Sequence, residues 1–469
     1  MAKTISISIL NVEQLESFLN KVKEVNSRLE KISTKIQDLL NINVHFDVMD
    51  GKFVSNTGVD LEKIKVVKEF GFFVDVHLMV ENPIEDGYID KAIEYGADNV
   101  TIHREIKEFE KALTYLKKKV KSIKERNITI GVSIKPETNM ATLGKYIDVF
   151  DLLLVMSVEP GYGGQEYIEN VGFKLSDAKE KFGDKIIQVD GGINFDTISE
   201  PIRRLCDNLV IGSYLTKDST LDILYRRILE INIINSIELS PRNGNLELDT
   251  KILQIIPGGY GEGDILLGIS VPDIRLVARK WYKYLDINVL QKFITSKYHD
   301  YRRFAIFCIN EIISRENDLE EMKNIVDFVW QNITYINNWD LTDEVGPNIV
   351  GKYLLKLSND DKKEVILKYI NDDRMWVRRI GIVSLLTLVR DSDTELPLYI
   401  CDLVIYEDYH LFQKATGWVL REIYKKDNDA IIKYLKEKNN NKKLPSILLS
   451  YATEKMSKEQ KEYIRNKEV

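Results

Sequence analysis

The sequence predicts two domains of different fold class, an α/β (β/α)8 TIM barrel followed by an all-α HEAT-like solenoid. The chain has 469 residues, whereas ordinary domains contain about 100–200. Short β-branched runs alternate with amphipathic stretches in the first half, and helical patterns follow one another in the second. The segment NSIELSPRNGNLELD separates the two patterns. We therefore assign residues 1–232 to the barrel, 233–245 to a linker and 246–469 to the solenoid.

Eight short apolar runs account for the strands of the predicted barrel. Segments such as LEKIKVVKEFG and IDKAIEYGA separate them and are typical of helices that stop at glycine. Eight strands with eight crossovers in ~225 residues fit a (β/α)8 barrel. The predicted strands are Ile5–Leu10, Asn43–Met49, Phe73–Met79, Asn99–His103, Ile128–Ile134, Leu152–Met156, Ile186–Asp190 and Asn208–Ile211.

The second half shows no convincing strand alternation. Helix pairs in series favour a HEAT-like solenoid, although no repeat period can be read from the sequence. The predicted helices are VPDIRLVARKWYKYL, INVLQKFITS, YRRFAIFCINEIISR, LEEMKNIVDFVWQNI, PNIVGKYLLKLS, VRRIGIVSLLTLVR and HLFQKATGWVLREIY.

Composition limits the classes of function. The net charge is -7, from 66 Lys plus Arg and 73 Asp plus Glu, so any nucleic-acid contact must be a local basic patch. The three cysteines, Cys206, Cys308 and Cys401, are too few and too dispersed for a disulfide framework. The N-terminus does not resemble a signal peptide, and no run of ~18 apolar residues occurs. We expect a soluble cytoplasmic protein with no membrane partner.

Histidine and aspartate residues at the predicted strand ends indicate a metal site. His45 and Asp47 share one face of the second strand, as do Asp75 and His77 of the third, and Asp190 ends the seventh. The carboxyl ends of barrel strands converge, so His45, Asp47, His77 and Asp190 are expected to meet. Each of these residues, taken alone, could equally be a hydrogen-bonded core residue rather than a metal ligand. Together they suit one divalent ion, Zn, Fe, Mn or Co.

Three glycine clusters after strands six to eight predict a phosphate site. Singly these are turn glycines, but glycine lets backbone N–H groups approach an anion, and barrel phosphate sites follow the last strands. The clusters are EPGYGGQEY with Gly161, Gly163 and Gly164, DGGIN with Gly191 and Gly192, and IGS with Gly212 and Ser213.

The segments SISIL, HFDVMDGKFV, DVHLMVENP, GVSIKP, VMSVEPGYGGQEY, VDGGIN and IGS, in that order, resemble the ribulose-phosphate 3-epimerases over roughly residues 1–230. The resemblance implies interconversion of D-ribulose 5-phosphate and D-xylulose 5-phosphate, a step of the pentose phosphate pathway of carbohydrate metabolism. It implies that Asp47 and Asp190 are both the acid/base pair and ligands of the metal. Further substrate contacts at matching positions are Ser8, Met49, Met79 and Met156.

Two features depart from that family. The loop after HFDVMDGKFVSNTG is shorter than usual, and Tyr162 replaces a phenylalanine. Both alter the rim and leave the metal set whole. A hexulose 6-phosphate is the alternative substrate, and the oligomeric state stays open, a homo-oligomer included.

The segments PGGYGEGDILLGISVPDIR, YINNWDLTDEVGPNIVGKYL, MWVRRIGIVSLL and HLFQKATGWVLREIY resemble the DNA alkylation repair enzymes, which are HEAT-like-repeat DNA glycosylases. The resemblance implies a basic groove that holds duplex DNA and excision of cationic alkylated purines. At matching positions Asp343 faces the lesion, while Trp339, Trp418 and Arg378 contact the DNA.

The alternative is a catalytically silent helical module that binds a protein or nucleic acid. Trp339 and Asp343 are four residues apart, which is also the spacing of an inward-packing residue beside a capping carboxylate. The domain is about neutral, and its basic clusters, Arg302–Arg303, Arg374–Arg379 and Lys425–Lys426, would have to gather on one face. A glycosylase requires the four predicted residues to line one concave groove.

Overall fold

The computed structural model describes residues 2–33, 35–36, 39–123 and 125–466. Contacts divide the chain into two compact units, Met1–Ser240 and Pro241–Val469. This division falls within the predicted linker, 233–245. Helix α8, Leu221–Glu238, extends into that linker, because Ile233, Ile234 and Ile237 are buried and continue its packing face.

The first unit is a closed barrel of eight parallel strands that neighbour one another in chain order. The fold class and the number of strands are as predicted, and the main difference is that the first strand ends at Ser8 rather than at Leu10. Almost every strand residue is buried, as expected where helices cover a barrel whose interior is packed. The strands are β1 Thr4–Ser8, β2 Asn41–Met49, β3 Val74–Met79, β4 Asn99–His103, β5 Thr129–Ile134, β6 Leu152–Met156, β7 Ile186–Asp190 and β8 Asn208–Ile211.

Helices follow the strands and carry the crossovers. Helix α3, Tyr88–Tyr95, is capped by Gly96, whose φ of 117° is accessible to glycine, and a Thr220 side-chain cap begins α8. A 3₁₀ helix, Met140–Tyr146, follows β5. The remaining helices of this unit are α1 Leu15–Ser33, α2 Lys63–Glu69, α3 Tyr88–Tyr95, α4 Phe109–Ser122, α5 Val171–Lys181, α6 Ser199–Arg203 and α7 Ser213–Thr216.

The second unit is helical, as predicted. Among its described residues, the β-structure is an isolated bridge between Ile265 and Tyr298. Short 3₁₀ segments lie at Tyr282–Tyr284 and Ile333–Tyr335, and a π-helical turn lies at Gly346–Val350. Its α-helices are α9 Leu246–Ile252, α10 Val271–Trp281, α11 Ile287–Ile294, α12 His299–Ile313, α13 Leu319–Gln331, α14 Trp339–Val345, α15 Gly351–Leu354, α16 Asn359–Ile370, α17 Met375–Arg390, α18 Glu395–Val404, α19 His410–Tyr424, α20 Asn428–Asn441, α21 Ser446–Ala452 and α22 Lys458–Arg465.

Helix α17 is central to this unit and packs against both α14 and α19. The close approach on the α14 side depends on glycine. A Cβ atom on Gly346 would lie 2.3 Å from Val383 Cγ2, and one on Gly351 would lie 2.6 Å from Thr387 Oγ1. This packing sets the segment that follows α14 beside the middle of α17.

In the described part of the chain, none of the helices combines the length and the apolar character needed to cross a bilayer.

Gly131 tests the packing inside the barrel. It pairs with Thr101 across β4 and β5, and a Cβ atom there would lie 2.0 Å from Thr101 Oγ1. We expect Gly131→Ala to lower the free energy of unfolding by about 1–3 kcal/mol. Gly144→Ala is the control, since nothing lies within 4 Å of its added Cβ. Urea unfolding followed by circular dichroism measures both, and equal stabilities would contradict this packing.

Candidate functional site

Four side chains from three strands meet at the carboxyl end of the barrel. His45 and Asp47 lie on β2, His77 lies on β3, and Asp190 ends β7. One donor atom from each lies within 4.8 Å of those of the others. Asp47 Oδ1 is 3.5 Å from His45 Nε2 and 3.4 Å from His77 Nδ1, and Asp190 Oδ2 is 4.0 Å from His77 Nδ1. The structure therefore brings the four predicted metal ligands together.

The donor set fits a divalent cation. His45 is fully buried, and its Nε2 atom has no hydrogen-bond partner among the described residues. The other ring nitrogen, Nδ1, lies 2.8 Å from Asp75 Oδ2. A buried polar atom without a partner is costly unless something binds it, and two imidazole nitrogens with two carboxylates suit the borderline metal ions.

Asp75 connects the ligands to the barrel interior. Its Oδ1 accepts a hydrogen bond from Asn99 Nδ2 at 2.7 Å, and its Oδ2 accepts one from Gln188 Nε2 at 2.6 Å as well as contacting His45. The sequence predicts that Asp75 shares a face with His77, but gives it no role. Its position two residues before a ligand on the same strand was the available signal.

Burial and charge give the two site carboxylates opposite proton affinities. Burial would raise the pKa of Asp47, but the neighbouring charge of His45 holds that pKa well below its usual value. Burial raises the pKa of Asp190 to about 7, and the neighbouring charge of Asp47 contributes. Two carboxyl groups whose environments separate their pKa values are suited to different roles in proton transfer.

A cavity of about 500 Å³ is lined by two of the four ligands, Asp47 and Asp190. Gly191 and Gly192 have φ values of 120° and 66°, and a Cβ atom on Gly192 would lie 2.4 Å from the Tyr167 backbone nitrogen. A residue with a side chain therefore could not replace either glycine in this part of the cavity wall. The cavity is lined by every predicted substrate residue, namely Ser8, Met49, Met79, Met156, Gly161, Gly163, Gly164, Gly191, Gly192, Gly212 and Ser213.

Two cations that the sequence analysis missed also line this cavity. Lys217 directly follows α7 and Arg227 lies on α8, and Arg227 donates a hydrogen bond to the Lys217 carbonyl at 2.8 Å. Both follow the predicted IGS cluster, so their position along the chain was the available signal. At the rim, the Tyr162 hydroxyl lies 2.9 Å from Ser55 Oγ. The substituted tyrosine therefore joins two loops over the cavity.

A second cavity, of about 470 Å³, lies within the helical unit. Three of the four residues predicted for DNA recognition line it, namely Trp339, Asp343 and Trp418. Tyr260, Lys414, Arg421 and Tyr451 also line this cavity and were not predicted.

The fourth residue predicted for DNA recognition, Arg378, does not line this cavity. Its guanidinium donates to the Ile370 carbonyl at 2.9 Å and to Glu407 at 2.7 Å. The adjacent Arg379 lines the cavity. Consecutive side chains on an α-helix differ in direction by about 100°, and the register of α17 cannot be read from a pair of arginines.

Arg379 binds Asp343 through two hydrogen bonds. The Nε to Oδ1 and NH2 to Oδ2 distances are both 2.8 Å, and NH1 also donates to the Leu411 carbonyl at 2.6 Å. Burial raises the pKa of Asp343, although its pairing with Arg379 acts in the opposite direction. The ion pair therefore fixes a carboxylate at the cavity wall in a fork geometry.

The predicted basic cluster Arg302–Arg303 is internal. Arg303 Nε donates to Asp340 Oδ2 at 2.7 Å, and Arg302 pairs with Asp264. The His299 ring bridges the same two carboxylates, with Nδ1 2.9 Å from Asp264 and Nε2 2.9 Å from Asp340. Arg303 therefore stabilises the start of α14, and both arginine side chains are buried away from the surface.

Comparison with known proteins finds a matching family for each of the two units. Residues 8–216 match the model of the ribulose-phosphate 3-epimerase family, and residues 249–456 match that of the DNA alkylation repair enzymes. The ribulose-phosphate 3-epimerase of Bacillus subtilis is 35% identical over 178 residues, 36% of this chain and 77% of that protein. That of Aquifex aeolicus is 35% identical over 190 residues, 39% of this chain and 81% of that protein.

The barrel and its site thus define an isomerase that acts on a sugar phosphate. The chain belongs to the ribulose-phosphate 3-epimerase family, and a DNA alkylation repair-like domain follows the epimerase. A solved structure described as a predicted DNA alkylation repair enzyme from Enterococcus faecalis is 18% identical, with a TM-score of 0.36. That match covers 46% of this chain and 97% of the other.

The two neighbouring arginines of α17 give a matched stability test. Arg379→Met leaves buried Asp343 without its partner, and we expect the free energy of unfolding to fall by about 3–5 kcal/mol. Arg378→Met removes a more exposed pair with Glu407, which we expect to cost about 1 kcal/mol or less. Urea unfolding followed by tryptophan emission suits this test, because all five tryptophans follow Pro241. Equal losses would contradict the different roles assigned to the two arginines.

Proposed function

We propose that the barrel unit interconverts D-ribulose 5-phosphate and D-xylulose 5-phosphate by inverting the configuration at C3. The observation that carries this proposal is the meeting of His45, Asp47, His77 and Asp190 beside a glycine-walled cavity. Its volume, about 500 Å³, lies within the usual range for small-molecule sites. Membership of the epimerase family supports the same reaction class.

Asp47 and Asp190 are the proposed acid and base. A proton next to a ketone is weakly acidic, and its removal leaves a planar enediolate. One carboxylate takes the C3 proton from one face, and the other carboxyl returns a proton to the opposite face, which inverts the centre. Asp47 Oδ2 accepts a hydrogen bond from Ser8 Oγ at 2.6 Å, and this contact orients the carboxylate.

The four donors would hold one divalent ion, Zn, Fe, Mn or Co, through His45 Nε2, His77 Nδ1 and the two carboxylates. When bound, it supplies Lewis-acid stabilisation of negative charge on the substrate oxygens.

The rest of the cavity binds and shields the substrate. Met49, Met79 and Met156 offer an apolar wall that limits the access of water to the planar intermediate. At the other end, backbone N–H groups of the glycine clusters bind the phosphate. Arg227 and Lys217 add positive charge there.

Replacement of Asp190 tests the two-carboxylate mechanism. With Asp190→Asn we expect epimerisation, and exchange of the substrate's C3 hydrogen with solvent deuterium, to fall by about 10²–10⁴-fold or more, since the loss of an acid/base group has this effect. Both reactions are followed by NMR in deuterium oxide. Metal content is measured in parallel, because Asp190 is also a proposed ligand.

Asp196→Asn is the control for that experiment, because Asp196 is exposed and lies in the loop after the same strand. Undiminished exchange in Asp190→Asn would reject the assignment. A preference for a hexulose 6-phosphate over the pentulose would retain the mechanism and change the substrate.

We further propose that the helical unit binds duplex DNA and excises cationic alkylated purines. Trp339 and Trp418 offer aromatic faces to the DNA, and Asp343 offers a carboxylate to the developing positive charge on the sugar. Lys414 lines the same cavity and supplies positive charge for the phosphates, beside Arg379 and Arg421, which pair with Asp343 and Glu454. Alkylation at a ring nitrogen already makes the base a good leaving group, so a carboxylate suffices for the remaining stabilisation.

A silent binding module is the second candidate. Both oxygens of Asp343 already accept hydrogen bonds from Arg379, as they would in a purely structural pair. In that case the aromatic cavity would bind a partner without catalysis.

Excision of 7-methylguanine from duplex DNA separates the two candidates. We expect Asp343→Asn to abolish excision and to leave duplex binding intact, because Asn keeps the shape of the side chain and removes its charge. Asp360→Asn, an exposed change on α16, is the control. Excision is measured by release of the base, and binding by fluorescence anisotropy. A parent protein that neither excises nor binds the alkylated duplex would favour the silent module.

A further inference from the structure

A chain of buried side chains extends from one proposed metal ligand towards the outside of the barrel. His77 Nε2 lies 2.8 Å from His103 Nε2, and His103 Nδ1 lies 2.9 Å from Glu105 Oε2. Both imidazole rings are fully buried. Neither His103 nor Glu105 lines the cavity beside the ligands, so neither can touch a substrate there.

Glu105 sets the direction of the hydrogen bonds in this chain. Its Oε1 accepts from the Lys135 backbone N–H at 2.9 Å and from the Thr138 hydroxyl. Although burial opposes it, hydrogen bonds, the largest from His103, lower the pKa of Glu105 to about 2. The ionised carboxylate can only accept, so His103 Nδ1 must carry a proton.

The loop of residues 135–138, which donates hydrogen bonds to Glu105, is itself fixed. The Lys174 ammonium group donates to the carbonyl oxygens of Lys135 and Pro136, both at 2.8 Å, and of Thr138 at 2.6 Å. The Glu105 end of this series of hydrogen bonds therefore has little freedom to rearrange.

The direction of these bonds determines the tautomer of His77. With its proton on Nδ1, neutral His103 presents a lone pair at Nε2, so the proton between the two rings belongs to His77 Nε2. His77 Nδ1 then has a lone pair that faces Asp47 Oδ1 at 3.4 Å. Two acceptors at this distance are stabilised by a cation that both can bind.

We infer that His103 and Glu105 are positioning residues that hold His77 in the tautomer with a free Nδ1 lone pair for the metal ion. The inference rests on the proposed metal centre. Hydrogen-bond partners of the outer ring nitrogen are a general means of orienting a histidine ligand. Here the partner is a second histidine, and the fixed backbone N–H of Lys135 determines its polarity.

Glu105→Gln reverses this polarity without a change of shape. The amide NH2 cannot occupy the Oε1 position, because the Lys135 backbone N–H there can only donate. The amide NH2 must therefore face His103 Nδ1, which then has to accept, so the His103 proton moves to Nε2. The N–H groups of His103 and His77 then point at each other across the 2.8 Å contact between their Nε2 atoms. We expect the affinity for cobalt(II) to fall by about 10–100-fold, the usual effect of losing such a partner.

His103→Gln is the conservative counterpart. Its carbonyl can accept from His77 and its amide can donate to Glu105, so the polarity is kept although the ring is lost. We expect its cobalt(II) affinity to stay within about threefold of the parent, a smaller change than the ~10–100-fold usual for a lost partner. Glu137→Gln removes an exposed charge from the same loop and is the control.

The experiment titrates cobalt(II) into the metal-free full-length protein, with chelator competition for the dissociation constant and visible absorption for the ligand field. A merely structural role predicts the opposite order, with His103→Gln impaired most, because it removes a buried ring. That order, or parental affinity in Glu105→Gln, would overturn the inference. A parent protein that binds no cobalt(II) would overturn the proposed metal centre as well. If the parent does bind cobalt(II), the affinities of the variants test the role of Glu105 alone.

Discussion

The barrel site depends on the convergence of hydrogen-bonded polar side chains inside a closed sheet. Asp75 illustrates the constraint, since its carboxylate contacts His45, Asn99 and Gln188, which come from three other strands. Each of these groups is buried, so each would be costly to leave without a partner. The network therefore fixes the orientation of His45 before any ligand binds, and the backbone register of the barrel fixes the network.

Much of the barrel was predictable because two simple rules act together. Side chains alternate along a strand, and parallel strands end on one face of a barrel. His45, Asp47, His77 and Asp190 satisfy both rules, and so their meeting followed from the pattern. No role could be assigned to Asp75 or His103 from the sequence, because their roles depend on contacts between neighbouring strands. Such pairing depends on the exact register of strands, which the sequence pattern does not contain.

The helical unit was less predictable for a physical reason. A helix turns by about 100° per residue, so an error of one position moves a side chain to a different surface. Arg378 and Arg379 demonstrate this, because one pairs with Glu407 and the other with Asp343 at the cavity. Helix α8 continues past residue 233, because Ser236 and the neighbouring Asn residues lie among buried isoleucines.

Counts of basic residues are a poor guide to DNA binding in this unit, because part of the charge is structural. Arg302 and Arg303 are buried, and both pair with carboxylates that His299 also contacts. A buried charge requires a partner, whatever the function of the protein. The proposed DNA binding would use charges that line the aromatic cavity, such as Lys414. Near neutrality of the unit is therefore compatible with a local basic surface at that cavity.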